Sequence, residues 1–403
     1  MKILFVHEVN WKKKPIFEIH DYPELLSLRG HEVSFIDFPE HEKLIFKRKF
    51  GTLATTESAN QSRAHSGSSV KLITPGRICG APVDRLLHSL TFVPLLAKTL
   101  WGKKYEVIVL YGVPTNGWQT VLIAKLFRVP VLYRAIDISH ELRKTKFKTL
   151  IKLAERIVYR LSNQISTNNA TLADYCASLG AKREQISVDY PGLDLVRFSP
   201  TAKDRNIQAT LEIDDNDKTI LFMGTLFRFS GLIRFLDLSN EILQLRPNIK
   251  VLIVGDGEAR TDIENSISSY GLSGQVKLTG FVSYDDLPKF LNLADVAINT
   301  FEVGLVTNGA MPWKVVQYLA CGLPTVSTPL SGLVSYTNLK VESGVIYRNL
   351  DSSFPQAVVE LLDDQTLRKK LSRHARELVV ARNSWSECLP RFEQLLNGLT
   401  TKQ

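Results

Sequence analysis

The chain has 403 residues, 44% of them apolar, with 23 Gly and 17 Pro. At about 150 residues per domain this length predicts two or three domains, and the composition excludes a fibrous repeat or a low-complexity disordered chain. The net charge of +9 lies in the first half: residues 1–200 hold 29 Lys and Arg against 18 Asp and Glu, whereas residues 201–403 hold 21 against 23.

Short apolar segments alternate with helix-length amphipathic segments along the first half of the chain. Their near-continuous Val, Ile and Leu content is typical of a parallel sheet that helices cover on both faces. Strands are predicted at residues 2–6, 32–38, 70–74, 106–112, 129–135, 164–167 and 185–190.

The same pattern starts again after a polar segment, with strands predicted at residues 218–224, 250–257, 275–280, 295–299, 324–328 and 344–347. Two such series predict an α/β fold with two doubly wound, Rossmann-like domains. We place a first domain at 1–198, a linker at 199–217 and a second domain at 218–375. The helices at 376–403 are expected to cross back to the first domain.

Residues 52–69 contain eight Ser and Thr and show no periodicity. We predict a loop there that is disordered, or alternatively a mobile lid.

Several common functional motifs are missing from the sequence. Four cysteines stand far apart (Cys79, Cys176, Cys321 and Cys388), so neither a disulfide framework nor a zinc site is indicated and a reducing compartment fits. No P-loop is found, and Arg260 occupies the third glycine position after Gly255 and Gly257, so the dinucleotide fingerprint fails. We therefore expect no metal and no resident cofactor. The longest apolar run, 90–97, is too short to span a membrane.

Basic clusters occur at Lys12–Lys14, at Lys47–Lys49 and at residues 143–148. They could contact an anionic lipid surface or nucleic acid, or they could be solvated faces. No nucleic-acid-binding motif accompanies them. We expect a cytoplasmic protein that binds peripherally to the inner face of the cytoplasmic membrane. The amphipathic segment 86–101 could also touch lipid, although ordinary core packing is its alternative.

Six segments, taken in order, carry a family resemblance together with the closing helices that end near Trp385: RGHEVSFIDF (29–38), YPGLDLVRFSP (190–200), LFMGTLFRFSGL (221–232), VLIVGDGEAR (251–260), VKLTGFVSYDDLPKFLNLADVAI (276–298) and WKVVQYLACGLPTVSTPLSGL (313–333). Together they resemble the retaining GT-B glycosyltransferases of family 4, the glycosyl transferases group 1 proteins. The resemblance implies two domains facing a central cleft and a metal-independent transfer with retention of configuration. The second domain would hold a nucleoside-diphosphate-sugar donor. The first would hold a glycan or lipid-linked saccharide acceptor, in bacterial surface polysaccharide or glycoconjugate synthesis.

This sequence departs from the family at the donor phosphates. The family places an Arg directly after the strand-end Gly and a Lys before the next Gly, but here Thr225 follows Gly224 and Ser230 precedes the next Gly. We expect Arg228, on the same loop, and Lys314, at the start of the helix WKVVQYLA, to stabilise the charge of the departing diphosphate instead.

The two family glutamates, eight positions apart, are also replaced, by Gly309 and Gln317. The Gln317 amide can still bond a ribose hydroxyl, and a loop around Asn308 and Gly309 could offer backbone N–H groups to the donor sugar. The pattern P-x-K-x-x-[EQ]-Y-L-A-x-G at 312–322 resembles a subgroup that uses the Lys in place of the first Glu. The alternative is that Lys314 and Gln317 merely face solvent.

In the first domain, Asp137 follows the fifth strand at the position where the family carries an acidic residue. Either Asp137 or His140 is expected to contact the donor sugar or the acceptor hydroxyl, with a helix N-cap as the alternative role for Asp137. His7, after the first strand, is a weaker candidate on the acceptor side.

Two other functions remain open for a chain with these departures. One is a non-catalytic relative that binds a partner glycosyltransferase or a glycan. The other is an enzyme of the same fold with different chemistry, such as a nucleotide-sugar epimerase. The sequence leaves open the base, the sugar, the acceptor and the oligomeric state.

Overall fold

The computed structural model describes residues 1–39, 54–78, 84–102, 105–142, 147–337 and 343–401. These residues form two compact units, each with its own sheet. The first unit comprises Met1–Pro191 with Ser386–Gln403, and the second comprises Gly192–Trp385. The predicted fold class, two Rossmann-like α/β domains, is confirmed.

The first unit contains an eight-stranded sheet in the order β3-β4-β2-β1-β5-β6-β7-β8, parallel except for β3. Its strands are β1 (Lys2–Val6), β2 (Glu32–Ile36), β3 (Thr56–Gln61), β4 (Val70–Thr74), β5 (Val107–Leu110), β6 (Val131–Ala135), β7 (Gln164–Thr167) and β8 (Ile186–Val188). Its helices up to this point are α1 (Glu18–Leu28), α2 (Asp84–Gly102), α3 (Gly117–Leu126), α4 (Ser139–Leu142), α5 (Lys148–Leu161) and α6 (Ala170–Ser178).

The central strands of this sheet are buried on both faces, as their apolar content predicts. On one face, Leu4 and Ile108 belong to the same buried cluster as Phe92 of α2, Val121 of α3 and Val158 of α5. Burying such apolar side chains is the main force that holds helices on a sheet. Three neighbouring helices therefore cover one face of the first unit.

The segment predicted as a disordered loop is instead folded over its described part, 54–69. Residues Thr56–Gln61 form β3, which pairs antiparallel with β4. The buried carboxylate of Glu24 accepts the backbone N–H groups of Arg63, Ala64 and His65 at 2.7–2.9 Å. The edge pairing and this distant carboxylate order a segment whose own composition indicated no structure.

The second unit contains a six-stranded, fully parallel sheet in the order β11-β10-β9-β12-β13-β14. Its strands are β9 (Lys218–Met223), β10 (Ile249–Val254), β11 (Val276–Gly280), β12 (Val296–Asn299), β13 (Thr325–Ser327) and β14 (Val345–Tyr347). Its helices are α7 (Arg205–Thr210), α8 (Leu232–Leu245), α9 (Arg260–Ser269), α10 (Leu287–Leu291), α11 (Leu305–Gly309), α12 (Trp313–Ala320), α13 (Ser331–Thr337), α14 (Ser353–Asp363) and α15 (Gln365–Asn383).

The last helix, α16 (Trp385–Thr400), packs on the first unit. The Phe392 ring stacks on the Tyr22 ring with centroids 4.1 Å apart. The Glu393 carboxylate lies 3.1 Å from the Arg29 guanidinium and 2.9 Å from the His31 ring. A buried aromatic pair flanked by polar contacts thus attaches the end of the chain to its beginning.

The chain enters and leaves the second unit at neighbouring positions. The backbone N–H of Leu193 donates to the carbonyl oxygen of Asn383 at 2.7 Å. Gly192 lies against the indole of Trp385, and a Cβ at position 192 would overlap that ring. Only glycine therefore fits at this crossing.

Among the helices of the described ranges, none is both long and apolar enough to cross a membrane. Among the described residues, Cys176, Cys321 and Cys388 are buried and form no disulfide, and Cys79 lies outside the described residues. Two of the basic positions singled out in the sequence, Lys47–Lys49 and residues 143–146, also lie outside them.

Candidate active site

Three strand ends meet closely at the carboxyl edge of the second sheet. Gly224 after β9 and Gly255 after β10 have φ of 132° and 141°, a region that favours glycine. A Cβ at Gly255 would overlap the carbonyl oxygen of Gly224, and the Gly255 N–H donates to the Gly280 oxygen at 2.9 Å. Ligands of doubly wound folds collect at this edge, and here the backbone itself is accessible to them.

The loop 224–231 is held from both sides. Toward β10, the Leu226 N–H donates to the Asp256 carbonyl at 3.0 Å. Toward β12, the Thr300 hydroxyl donates to the Ser230 carbonyl at 2.6 Å. Because both neighbours bond its backbone, the loop is positioned before any ligand arrives.

This loop leads into the N-terminus of α8. Gly231, with φ of 70°, precedes the helix, and a Cβ there would overlap the Thr300 carbonyl. No side chain caps the first turn of this 14-residue helix. Uncapped N–H groups and the helix dipole together favour an anion at such a position.

Lys314 opens α12, directly beside the end of β9. The Met223 N–H donates to the Tyr318 hydroxyl at 2.6 Å, which fixes α12 against that strand. The Lys314 side chain passes close to Gly224, its Cδ lying 3.6 Å from where a Cβ would stand. It is only 8% exposed, so the alternative that Lys314 merely faces solvent is wrong.

The Lys314 amine lies between two aromatic rings. Its Nζ is 3.7 Å from the centroid of Phe222 and 3.8 Å from that of Phe301. Phe229, from the loop 224–231, packs edge-on against Phe301 with centroids 5.4 Å apart. We call Phe222, Phe229 and Phe301 the aromatic pocket. Among the described residues, Nζ has no hydrogen-bond partner.

Burial lowers the pKa of Lys314 well below its usual value. The ring faces favour the charged amine by cation–π attraction, but no acceptor replaces the lost water, so desolvation dominates. An anion placed at this edge would reverse the balance and favour the ammonium form. The buried amine would therefore take up a proton more readily if an anion bound beside it.

Arg228 lies in a very different environment from Lys314. Its side chain is 66% exposed, its guanidinium lies 3.2 Å from the Asp262 carboxylate, and its backbone N–H donates to Glu258 at 3.3 Å. Arg228 thus lies at the surface of the loop 224–231, whereas the Lys314 amine lies inside the aromatic pocket beside the start of that loop.

The remaining predicted donor residues fall on the same edge, with one correction. Thr225 is exposed, and Gln317 is buried one turn after Lys314 on α12. Asn308 and Gly309 do not form a loop: they end the short helix α11, and the Asn308 side-chain oxygen accepts the Ser331 N–H at 3.0 Å. That oxygen already has a partner inside the protein.

His140 of the first unit is buried and engaged through both ring nitrogens. Nδ1 lies 2.9 Å from the fully buried Glu155 carboxylate and 3.0 Å from the Tyr175 hydroxyl, and Nε2 lies 3.1 Å from Glu141. The Asp137 carboxylate accepts a hydrogen bond of 3.4 Å from the Ser139 hydroxyl at the start of α4. These contacts hold the His140 ring in one orientation.

The aromatic pocket is not apparent from the sequence, although Lys314 itself is. Its rings come from β9, from the loop after it and from the end of β12, which no local pattern connects. One signal was present: Lys314 is the only charged residue of the segment WKVVQYLA. Among the described residues, no group of three or more His, Cys, Asp or Glu could hold a metal ion.

Comparison with known families agrees with this architecture. Residues 203–378, which include the loop 224–231 and Lys314, match the family described as Glycosyl transferases group 1. Residues 24–192 match the Glycosyl transferase 4-like domain. The chain belongs to the GT-B glycosyltransferases of family 4.

Individual relatives within family 4 are distant. A glycosyltransferase of Methanocaldococcus jannaschii is 25% identical over 56% of this chain and 57% of its own length. The UDP-Gal:alpha-D-GlcNAc-diphosphoundecaprenol alpha-1,3-galactosyltransferase of Escherichia coli is 25% identical over 71% of this chain and 73% of its own. The chain spans about half the length of the first curated relatives that it matches.

A solved structure extends the likeness over the whole chain. Anabaena HepE in complex with UDP has a TM-score of 0.74, with 16% identity, over 99% of this chain and 100% of HepE. At this identity the likeness establishes the GT-B fold.

Proposed function

We propose that this family 4 protein transfers a sugar from a nucleoside diphosphate donor, held by the second unit, to a saccharide acceptor held by the first. The observation that carries the proposal is the Lys314 amine, which is buried near Gly224 and the uncapped start of α8 and has no acceptor among the described residues. A diphosphate bound at this edge would bring negative charge close to the amine and stabilise its protonated form.

The donor chemistry needs charge stabilisation more than it needs a nucleophile. As the bond between the anomeric carbon and the diphosphate breaks, negative charge develops on the departing oxygen, and preorganised cations and N–H groups stabilise it. Lys314, Arg228 and the first turn of α8 would fill that role here without a metal. The family resemblance adds retention, in which the diphosphate takes the acceptor hydroxyl proton as the new glycosidic bond forms on the same face.

The relatives support this class of substrates. HepE was solved with UDP, and the name of the Escherichia coli relative specifies a UDP-sugar donor and a lipid-linked saccharide acceptor. We propose the same classes for this chain, a nucleoside diphosphate sugar and a glycan or lipid-linked saccharide. The first unit would present Asp137, with His140 held in place by Glu155, to the acceptor hydroxyl or the donor sugar.

A thermal-shift panel of UDP-, GDP-, ADP- and TDP-sugars tests donor binding. A ligand at 100 times its Kd adds about 2.7 kcal/mol of stability, so one nucleotide class should raise Tm clearly. The Lys314→Met variant, which keeps the volume of the pocket and removes the amine, is the matched control and should show a much smaller shift.

Product analysis then decides the chemistry. Transfer to an added saccharide, with the anomeric configuration retained by NMR, supports the proposal. Binding without transfer or donor hydrolysis would support the non-catalytic alternative, and an epimerised donor would support the epimerase. A panel in which no nucleotide sugar raises Tm would contradict the donor site.

A further inference from the structure

A continuous outer surface of the first unit is formed by α2, α3 and α5. Their inner sides share one buried cluster over the sheet, and α3 packs against both of its neighbours. The Gln119 side chain of α3 donates to the Ser89 hydroxyl of α2 at 2.8 Å. At the end of α2, Trp101 meets Phe127 edge-on with centroids 6.2 Å apart. We call the exposed side of these helices the outer face.

Large apolar side chains are exposed on all three helices of the outer face. Trp101 is 84% exposed and Leu126 is 79% exposed. The other exposed apolar residues on or next to these helices are Leu90, Leu122, Phe147, Leu150 and Leu153. Single exposed leucines are normal, but a set that recurs across neighbouring helices marks an interaction surface.

On α2 the exposed residues follow a helical stripe. Leu90, Pro94, Lys98 and Trp101 are exposed, whereas Phe92 and Leu96 are buried. The helix continues through Pro94, which sits on the exposed side. The segment 86–101 therefore has both properties that its sequence left open, since one side packs in the core and the other is free for a partner.

The polar residues of the outer face are cationic. Lys98, Lys125, Lys152 and Arg156 are exposed, and none of them forms an ion pair with another described residue. Among the side chains described on these three helices, the one carboxylate is Glu155, and it is fully buried. Lys148, at the start of α5, is paired with Glu141 at 2.9 Å.

This combination identifies the kind of partner. Lysine is depleted from protein–protein interfaces, whereas helices that lie in a membrane surface combine Trp and Leu on their buried side with Lys and Arg at headgroup level. Long basic side chains can also extend to phosphates while their methylene groups stay in apolar surroundings. Charge complementarity therefore favours an anionic lipid surface over another protein.

We propose that the outer face of α2, α3 and α5 docks the first unit onto an anionic lipid bilayer. Trp101, Leu126, Leu150 and Leu153 enter the boundary between headgroups and acyl chains, and the four exposed cations contact lipid phosphates. The contact is reversible, because exposed charges are screened within about 10 Å at 0.1 M salt. The inference does not depend on the donor chemistry.

Vesicle co-sedimentation with the full chain tests the proposal. Binding to phosphatidylcholine vesicles is compared with binding to vesicles that also contain phosphatidylglycerol, at low and at high salt. We expect the parent protein to bind the anionic vesicles at low salt, to leave them as salt rises, and not to bind the neutral ones.

Two variants and a matched control assign the binding to the outer face. The triple variant Lys125→Ala, Lys152→Ala, Arg156→Ala should lower the bound fraction about tenfold or more. The control Lys369→Ala, Lys370→Ala, Arg373→Ala removes three exposed cations from α15 of the second unit and should bind like the parent. The emission of the parent should shift to the blue on binding, and Trp101→Leu should abolish most of that shift.

Three results would overturn the proposal. One is an absence of binding to anionic vesicles at low salt. Another is equal binding by the parent and the outer-face triple variant, with both folded by circular dichroism. The third is self-association without vesicle binding that the triple variant disrupts, which would make the face a protein interface.

Discussion

The amine of the buried Lys314 lies 3.8 Å from the centre of the Phe301 ring. Phe301 directly follows Thr300, whose hydroxyl bonds the loop 224–231. Phe229 of that loop packs edge-on against the Phe301 ring. Protonating an amine that is buried in this way costs free energy when no anion lies beside it. An anion bound at this edge would therefore be stabilised by the charged amine, and would stabilise it in turn.

Replacing Lys314 with methionine separates function from stability. We expect Lys314→Met to lower turnover on the order of 100-fold, because charge stabilisation of the leaving group is lost, and to raise Tm. A gain of about 1 kcal/mol corresponds to about 2–4 °C for a domain of this size. Calorimetry and a donor-turnover assay on the same preparation measure both effects.

The stability gained by Lys314→Met should depend on pH with a definite sign. The folded state holds Lys314 with a pKa below the ordinary 10.5, so below pH 10.5 the unfolded state binds more protons and the buried amine costs stability. The cost disappears as pH rises toward 10.5, and the advantage of Lys314→Met should shrink with it. Parental turnover, or a lower Tm at neutral pH, would contradict this account.

Arg228 should affect turnover without affecting stability. Its pair with Asp262 is exposed, and exposed pairs contribute little to folding. We expect Arg228→Ala to lower turnover on the order of 100-fold at an unchanged Tm. The control is Arg234→Ala, an equally surface-placed arginine of α8 that is 56% exposed and paired with Asp237. If both variants lose activity equally, Arg228 has no special role.

Gln317 should contribute to nucleotide affinity. Because its amide can bond a ribose hydroxyl, Gln317→Ala should weaken nucleotide binding by about 1–2 kcal/mol, or roughly 5- to 30-fold in Kd. Gln317→Glu should stay within about tenfold of the parent. Titration calorimetry with the nucleotide found in the thermal-shift panel measures both, and an unchanged Kd for the alanine variant would place Gln317 outside the site.

Asp37, after β2 in the first unit, should make stability fall as pH rises through weakly acidic values. It is 1% exposed, and burial raises its pKa to about 6 from 3.8. Between these values the unfolded chain is ionised while the folded protein still holds the proton, so stability is lost up to about pH 6.

The matching variant is Asp37→Asn, which removes this titration. We expect it to be more stable than the parent at pH 8, by at most about 3 kcal/mol, and to lose that advantage near pH 4. Urea unfolding at the two pH values measures the difference, with the exposed Asp215→Asn as control. An advantage that is the same at both values would show that the titration of Asp37 is not its cause.

The strands could be predicted from sequence because their apolar runs are local and almost uninterrupted. β3 could not, since Thr56–Gln61 is a polar edge strand that pairs only with β4 and continues into backbone bonds to the distant Glu24. The edge of the second sheet was also predictable, because glycines mark the strand ends. The interior position of Lys314 was not predictable, because it depends on the rings of Phe222 in β9 and Phe301 after β12, which meet only in the folded structure.

Short elements account for the other difference. α11 has five residues, too few for a helical period to show in the sequence, so the sequence predicts a loop at Asn308. Its bond to Ser331 joins two elements far apart in the chain. Residue identity thus predicts which residues lie near the strand ends, whereas the hydrogen bonds that engage some of their side chains appear only in the folded structure.

The hydrogen bond between Leu193 and Asn383 places the two ends of the second unit side by side, so the unit is inserted into the chain at a single point. Both of its ends lie side by side, bonded to each other, with Trp385 lying over Gly192. A segment with adjacent ends can be excised and replaced without stretching the chain on either side. Residues 192–385 of another family member could therefore be grafted here, by evolution or by design, while the chain of the first unit keeps its path.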